Sequence, residues 1–163
     1  MPEPLLLIPG LMCTAALFEP QVKAFSGDRQ VIVADHGGAH DMHTIAGQIL
    51  AEAPDRFALA GLSMGVYLAL EIMSIAPDRV TRLALLDGKA RPDTTDELAA
   101  RKALLKMADE GRYLNITYDV LLSRLVASVC NSAIASGVRM TVFTANCWKC
   151  TYVILLVGFD HIL

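Results

Sequence analysis

The chain predicts an α/β fold: a doubly wound, mostly parallel sheet of about five strands with helices on both faces. Three observations carry that expectation. Short apolar runs recur at residues 5–8, 31–34, 57–60 and 153–157, with a mostly apolar one, broken by Thr81 and Arg82, at 80–86, the pattern of strands covered on both faces. Helix-like runs separate the first four of them, and strands alternating with helices imply right-handed crossovers between parallel neighbours. The third observation is Gly61-Leu62-Ser63-Met64-Gly65, placed where the third apolar run gives way to the helix-like stretch Val66 to Ile75.

Pro4 to Gly10 reads as a strand ending in a turn, followed by Leu11 to Thr14 and a helix-like stretch from Ala15 to Phe25. Val31 to Asp35 is the second strand, and the loop His36-Gly37-Gly38-Ala39-His40-Asp41 leaves its C-terminal end. Thr44 to Ala53 reads as a helix stopped by Pro54, because a residue before proline is pushed out of the helical region. The strand Phe57 to Ala60 then turns abruptly, at a serine, into a helix closed by Pro77. Such a corner forces the serine into a strained backbone conformation and brings strand and helix too close for side chains at 61 and 65. A Gly-x-Ser-x-Gly pentapeptide arises by chance in roughly one chain in twenty of this size, so its place at a strand-to-helix junction is what makes it informative. Val80 to Leu86 ends in Asp87-Gly88. Ligand chemistry in these sheets gathers at the carboxyl ends of strands, where Leu11, His36, Ser63 and Asp87 all lie.

Thr94 and Glu97 form a capping box that opens an amphipathic helix to about Glu110, ended by Gly111, with Leu98, Leu105 and Ala108 on one face. A second helix is expected from Leu114 to Val129, striped by Leu114, Leu121, Leu125 and Val129. Both stripes read as core or lid contacts, since the opposite faces are not strongly basic. The whole chain, 1–163, is expected to be one domain with 94–150 as a partial helical lid or cap insertion. The run Met140 to Thr151 lacks a clear period, and the fifth strand, Val153 to Val157, follows it; no internal repeat is visible.

Composition narrows the function. With 163 residues, 54% hydrophobic and 19% charged, the chain has material for one real core. A net charge of −3 without a basic cluster argues against nucleic acid or an anionic membrane surface as partner and favours a small molecule. The N-terminus has no basic segment ahead of its short apolar run, and no apolar run is long enough to span a bilayer, so a cytoplasmic location is expected. Cys13, Cys130, Cys147 and Cys150 then read as reduced thiols. The Cys147-Trp148-Lys149-Cys150 pair has no second pair and precedes a strand, so neither a metal nor another cofactor is expected there. Asp35, His36, His40 and His43 are ligand types, but Gly37 and Gly38 break any helical spacing, and solvated loop histidines are the plainer reading.

On the Gly61 to Gly65 corner, the strand end Ile8-Pro9-Gly10-Leu11, the strand end Val33-Ala34-Asp35 and Leu85-Leu86-Asp87, residues 4 to about 126 resemble the α/β-hydrolase superfamily. The similarity is closest to its short esterase-like members, with the C-terminal part of the family lacking: a truncated core. The resemblance makes Ser63 the nucleophile and the backbone N–H groups of Met64 and Leu11 the oxyanion hole. In the family, the triad acid and then the histidine follow the serine. Leu156-Val157-Gly158-Phe159-Asp160 assigns the acid to Asp160, one residue closer to the glycine than in the family, with Asp87 the alternative. The histidine belongs far downstream of the acid, where this sequence has only His161, Ile162 and Leu163. His161 adjoins Asp160, and neighbouring strand-end residues point in different directions. His36 or His40 would have to reach across about 10 Å from the second strand.

What the resemblance implies is a serine hydrolase that cleaves a small carboxylic ester, thioester or lactone through an acyl-enzyme, without a cofactor. Two alternatives stand beside it. One is a folded but catalytically impaired hydrolase core, because a serine without a base is a weak nucleophile. The other is a binding or assembly module whose open edge at the fifth strand pairs with a partner or with a second copy as a homodimer.

Overall fold

A computed structural model describes residues 2–116 and the backbone of residues 155–158. Five strands form one sheet: β1 (Leu5–Ile8), β2 (Val31–Val33), β3 (Phe57–Leu62), β4 (Val80–Leu86) and β5 (Leu155–Gly158). Their order is β2-β1-β3-β4-β5. β1 to β4 are parallel, with Leu7 opposite Val33 and Ala60, and Leu62 opposite Leu86. β5 runs antiparallel to β4, with Leu155 opposite Leu85. The mostly parallel sheet is thus present, and among the described residues β5 is its one antiparallel strand. An apolar run carries no mark of direction, and the long connection from β4 permits either.

Among the described residues four helices longer than one turn accompany the strands: α1 (Glu19–Phe25), α2 (Met42–Glu52), α3 (Met64–Ile75) and α4 (Thr95–Asp109). The stretch read as one helix over residues 15–25 divides into a 3-10 turn at Ala15–Phe18 and α1, whose first turn holds Pro20, a place where the missing N–H costs nothing. α2 starts two residues earlier than the sequence suggests, because the Asp41 carboxylate accepts the Thr44 N–H at 2.8 Å and caps it.

Side-chain alternation along the strands sorts the core into two layers. Leu6, Ile8, Phe57, Leu59 and Leu83 pack with Ile45, Ile49 and Leu50 of α2 and with Leu68, Ala69 and Ile72 of α3. Leu7 and Ala60, one residue out of phase, meet Phe18 on the other face, joined by Val22 of α1. Period-two alternation on strands meets period-3.6 stripes on helices, so both faces are covered. Each fully buried Leu or Ile here contributes about 1.5–3 kcal/mol.

The described chain forms two compact units, one of residues 2–90 with β5, the other beginning at Arg91. In the second, α4 opens with a complete capping box: Glu97 N donates to Thr94 Oγ1 at 3.3 Å and Thr94 N to Glu97 Oε2 at 2.8 Å. Arg91 grips the same carboxylate with two bonds, at 2.9 and 3.0 Å. Gly111, at φ 76°, ends the helix by letting Arg112 N reach back to Met107 O. Among the described residues α4 buries no side chain, and Leu98 and Leu105 are 46% and 59% exposed. Of the core or lid contacts expected along that stripe, Leu98 and Leu105 do not make the core ones: periodicity identifies a face but not what covers it. The helix expected over 114–129 lies mostly outside the described residues, as do Cys130, Cys147 and Cys150. Among the described residues no helix is long and apolar enough to cross a membrane.

Candidate active site

β3 ends at Leu62 and α3 begins at Met64, leaving Ser63 alone at the corner with φ 53° and ψ −110°. A non-glycine residue in such a conformation costs on the order of 1–3 kcal/mol and persists only where its surroundings over-determine it. Here they do. Ser63 N donates to Leu86 O at 2.9 Å, and Val66 N donates to Ser63 O at 3.1 Å. A Cβ on Gly61 would stand 2.2 Å from Gly65 O, and one on Gly65 only 2.3 Å from Ile8 O. The first turn of α3 therefore lies directly on the backbones of β3 and β1, which is the close approach expected at positions 61 and 65.

The strands on either side bring their own ends to this corner. Ile8 pairs with Gly61, so Pro9 and Gly10 run alongside Ser63. A methyl on Gly10 would sit 3.4 Å from Ser63 Cβ and 3.7 Å from Cys13 Sγ. Gly10 O then accepts Cys13 N at 3.1 Å, closing a turn that holds Leu11, 46% exposed, and Met12 at φ 59°. On the other side Asp87 follows β4 at φ 48°, and a Cβ on Gly88 would lie 2.3 Å from Val66 Cγ2. Met12, Ser63 and Asp87 thus place three left-handed, non-glycine residues just past the ends of three neighbouring strands. Strain of this kind clusters at functional sites.

Cys13 donates its thiol to Leu11 O at 3.5 Å. Burial pushes the Cys13 thiol up, against a smaller lowering from its bond with the Gly10 backbone, so it stays protonated near neutrality and is a poor rival to the serine.

The histidines separate. His36, expected on a solvated loop, is half-buried, with Nε2 3.1 Å from Gly10 O. A carbonyl oxygen only accepts, so Nε2 carries the hydrogen and is committed as a donor; that nitrogen is no base for Ser63. His40 is exposed, and His43 Nδ1 meets Glu71 Oε1 at 2.8 Å between α2 and α3. Asp35 Oδ1 accepts Gly37 N at 3.0 Å. Among the described residues no group of three or more His, Cys, Asp or Glu is placed to hold a metal ion. Met64 is the first residue of α3; Asp160 and His161 lie outside the described residues. A groove of about 340 Å³ between β2 and α2, lined by residues such as Ile32, Asp35, Ile49 and Glu52, does not include Ser63 in its lining.

Sequence reasoning passed over the Gly10 contact with Ser63, the strain at Met12 and the tie from His36. The Pro9-Gly10 turn was a visible signal for the first. The tie had none, because its acceptor is a backbone carbonyl 26 residues away.

No family model matches the chain. It is 30% identical over 95 residues to the pimeloyl-(acyl-carrier protein) methyl ester esterase of Aliivibrio salmonicida, covering 53% of this chain and 36% of that protein. It is 29% identical over 106 residues to the putative carbamate hydrolase RutD of Azorhizobium caulinodans, covering 55% of this chain and 39% of the relative. The matches thus span well under half the length of these relatives. Among solved structures, a thermophilic esterase from Thermogutta terrifontis superposes with a TM-score of 0.69 at 21% identity, over 89% of this chain and 59% of that one. A hydrolase from Pseudomonas aeruginosa PA01 gives 0.62 at 20% identity, over 90% and 59%.

Proposed function

We propose that this chain, which belongs to the α/β-hydrolase superfamily by its fold and its relatives, is a serine hydrolase cleaving a carboxylic ester, thioester or lactone through an acyl-enzyme at Ser63. The observation that carries the reading is the backbone of Ser63, held at φ 53° between a strand and a helix beside the turn at Gly10. A hydroxyl there projects above the sheet with the N–H groups of Met64 and Leu11 as natural oxyanion donors. The relatives named as a methyl ester esterase and a putative carbamate hydrolase support a substrate whose reactive carbonyl carries a heteroatom.

In this mechanism Ser63 Oγ attacks the acyl carbon, and the carbonyl oxygen takes up negative charge opposite the two amides. Collapse expels the alcohol or thiol, and water then releases the acid and restores the serine. No cofactor takes part. Asp160 is the proposed acid, with Asp87, next to the serine strand, as alternative. Attack also needs a base for the serine proton. Since His36 Nε2 is committed to Gly10 and His43 to Glu71, reactivity of Ser63 reports on whether another imidazole, such as that of His40, serves it.

The test is to treat the purified protein with a fluorophosphonate and with a p-nitrophenyl ester, beside Ser63→Ala and Cys13→Ser. We expect labelling and turnover that Cys13→Ser leaves intact and that Ser63→Ala reduces at least about a thousandfold. A folded protein whose Ser63 takes no label would sink the hydrolase reading and leave a core without the chemistry.

A further inference from the structure

The geometry points to His36 as the positioning residue for the oxyanion donor at Leu11, an inference that rests on the reading of Leu11 N–H as such a donor. Gly10 C=O and Leu11 N–H belong to one peptide group, which is planar and trans, so the two point in opposite directions across a rigid plate. Whatever holds the oxygen aims the hydrogen. Gly10 O accepts two bonds, Cys13 N at 3.1 Å from within its own turn and His36 Nε2 at 3.1 Å from the loop after β2. A carbonyl has two lone pairs, and both are thereby used. The internal bond closes the turn but cannot orient it against the rest of the protein. The bond from His36 does so, because the histidine is itself fixed to the sheet.

That fixing can be followed residue by residue. Ala34 N donates to Leu7 O at 2.8 Å, pinning the end of β2 to β1. Asp35 then accepts Gly37 N at 3.0 Å, a tight turn with His36 at its centre, and a Cβ on Gly37 would approach Asp35 Oδ1 to 3.3 Å. The ring is left half-buried and facing β1. Its bond also polarises the peptide: a donor on the carbonyl draws electron density from the nitrogen and makes the Leu11 N–H a stronger donor. Neutral imidazole with its hydrogen on Nε2 and imidazolium both donate, so the tie holds in either protonation state.

Three variants test this, each read in two ways. His36→Ala and His36→Leu remove the donor, whereas His36→Gln keeps an N–H of similar reach. The first readout needs no turnover: hydrogen exchange of the Cys13 amide, which is protected by its bond to Gly10 O, expected to rise about tenfold in His36→Ala and His36→Leu as the turn loosens and to stay near wild type in His36→Gln. The second is ester kinetics, where the donor-less variants should lose about 10- to 100-fold in kcat at nearly constant KM, a fraction of what deleting an oxyanion donor costs, with recovery in His36→Gln. Unchanged amide exchange in the donor-less variants overturns the tie even if the wild type proves inert toward esters. Unchanged kcat in an active enzyme, or a Gln variant as slow as Ala, overturns the positioning role. Failure of wild-type Ser63 to react with fluorophosphonate is a separate result, which removes the hydrolase reading and with it the catalytic half of the inference. Should His36→Ala not fold, His36→Leu carries the comparison with His36→Gln.

Discussion

At the amino ends of β3 and β4 a single arginine closes the structure, whereas at their carboxyl ends the backbone is bent against its preference. Arg79 donates to the carbonyls of Leu50, Ala53, Pro54 and Asp55 at 2.8–3.3 Å and lies over the Phe57 ring. It thereby gives a cation to one last-turn carbonyl of α2, to the C-cap carbonyl and to two carbonyls just beyond, where the helix dipole favours positive charge. Nearby, Glu3 accepts from Thr81 and Arg82. At the other end Met12, Ser63 and Asp87 all hold positive φ, and glycines at 61, 65 and 88 exist because no side chain fits. One end relaxes the fold, and the other spends stability to place groups in space.

The comparison breaks most visibly at Gly65. Gly65→Ala drives a methyl into Ile8 O, backbone against backbone, and should cost about 3–5 kcal/mol or prevent folding; urea titration decides, and a change under 1 kcal/mol would show that α3 does not sit on β1 as described. Gly10→Ala is the control at the same end: its methyl meets Ser63 Cβ at 3.4 Å, so it should fold nearly as well as wild type. Next comes Arg79→Ala, expected to lose about 2–3 kcal/mol because several carbonyls lose a charged donor, with Arg79→Lys recovering only part, since one ammonium cannot fork to four oxygens. Ser63→Gly should do the reverse and raise stability by about 1 kcal/mol, by relieving the positive φ less the extra chain entropy of glycine, while abolishing fluorophosphonate labelling. A destabilised Ser63→Gly would contradict the claim of stored strain.

The smallest effect is electrostatic. Hydrogen bonds from Thr44 hold the Asp41 carboxyl below its ordinary value. A depressed folded pKa gives stability that is complete above the unfolded value, near pH 4, and that fades as pH falls through the folded one. Asp41→Asn keeps a capping oxygen but no charge, so its denaturation midpoint should converge with wild type below about pH 3; a gap that persists at low pH would refute the linkage.

Element type and the strained corner were legible in the chain because both are local. Apolar runs of strand length, a proline after a helix, and glycines two residues either side of a serine report conformations set within a few positions. The Thr94–Glu97 capping box is local in the same way. Less legible were the direction of β5 and the exposure of Leu98 and Leu105. A run such as Val153 to Val157 is equally apolar read from either end, and a stripe on α4 is silent about its neighbours. His36 was the instructive case: by type and loop position it looked solvated, yet it donates to Gly10.

By itself the amino-acid sequence determined that strands alternate with helices, that a serine stands at a sharp turn between glycines, and that α4 begins at a capping side chain, all decided by steric limits and hydrogen bonds a few residues long. Only the tertiary structure decided that β1 lies beside β3, so that Gly10 abuts Ser63 and His36 reaches the peptide next to it. Each of those contacts has a backbone group of β1 or of the turn after it on one side, far from its partner in the chain, and backbone groups are the same at every position, so no pattern of side chains announces them.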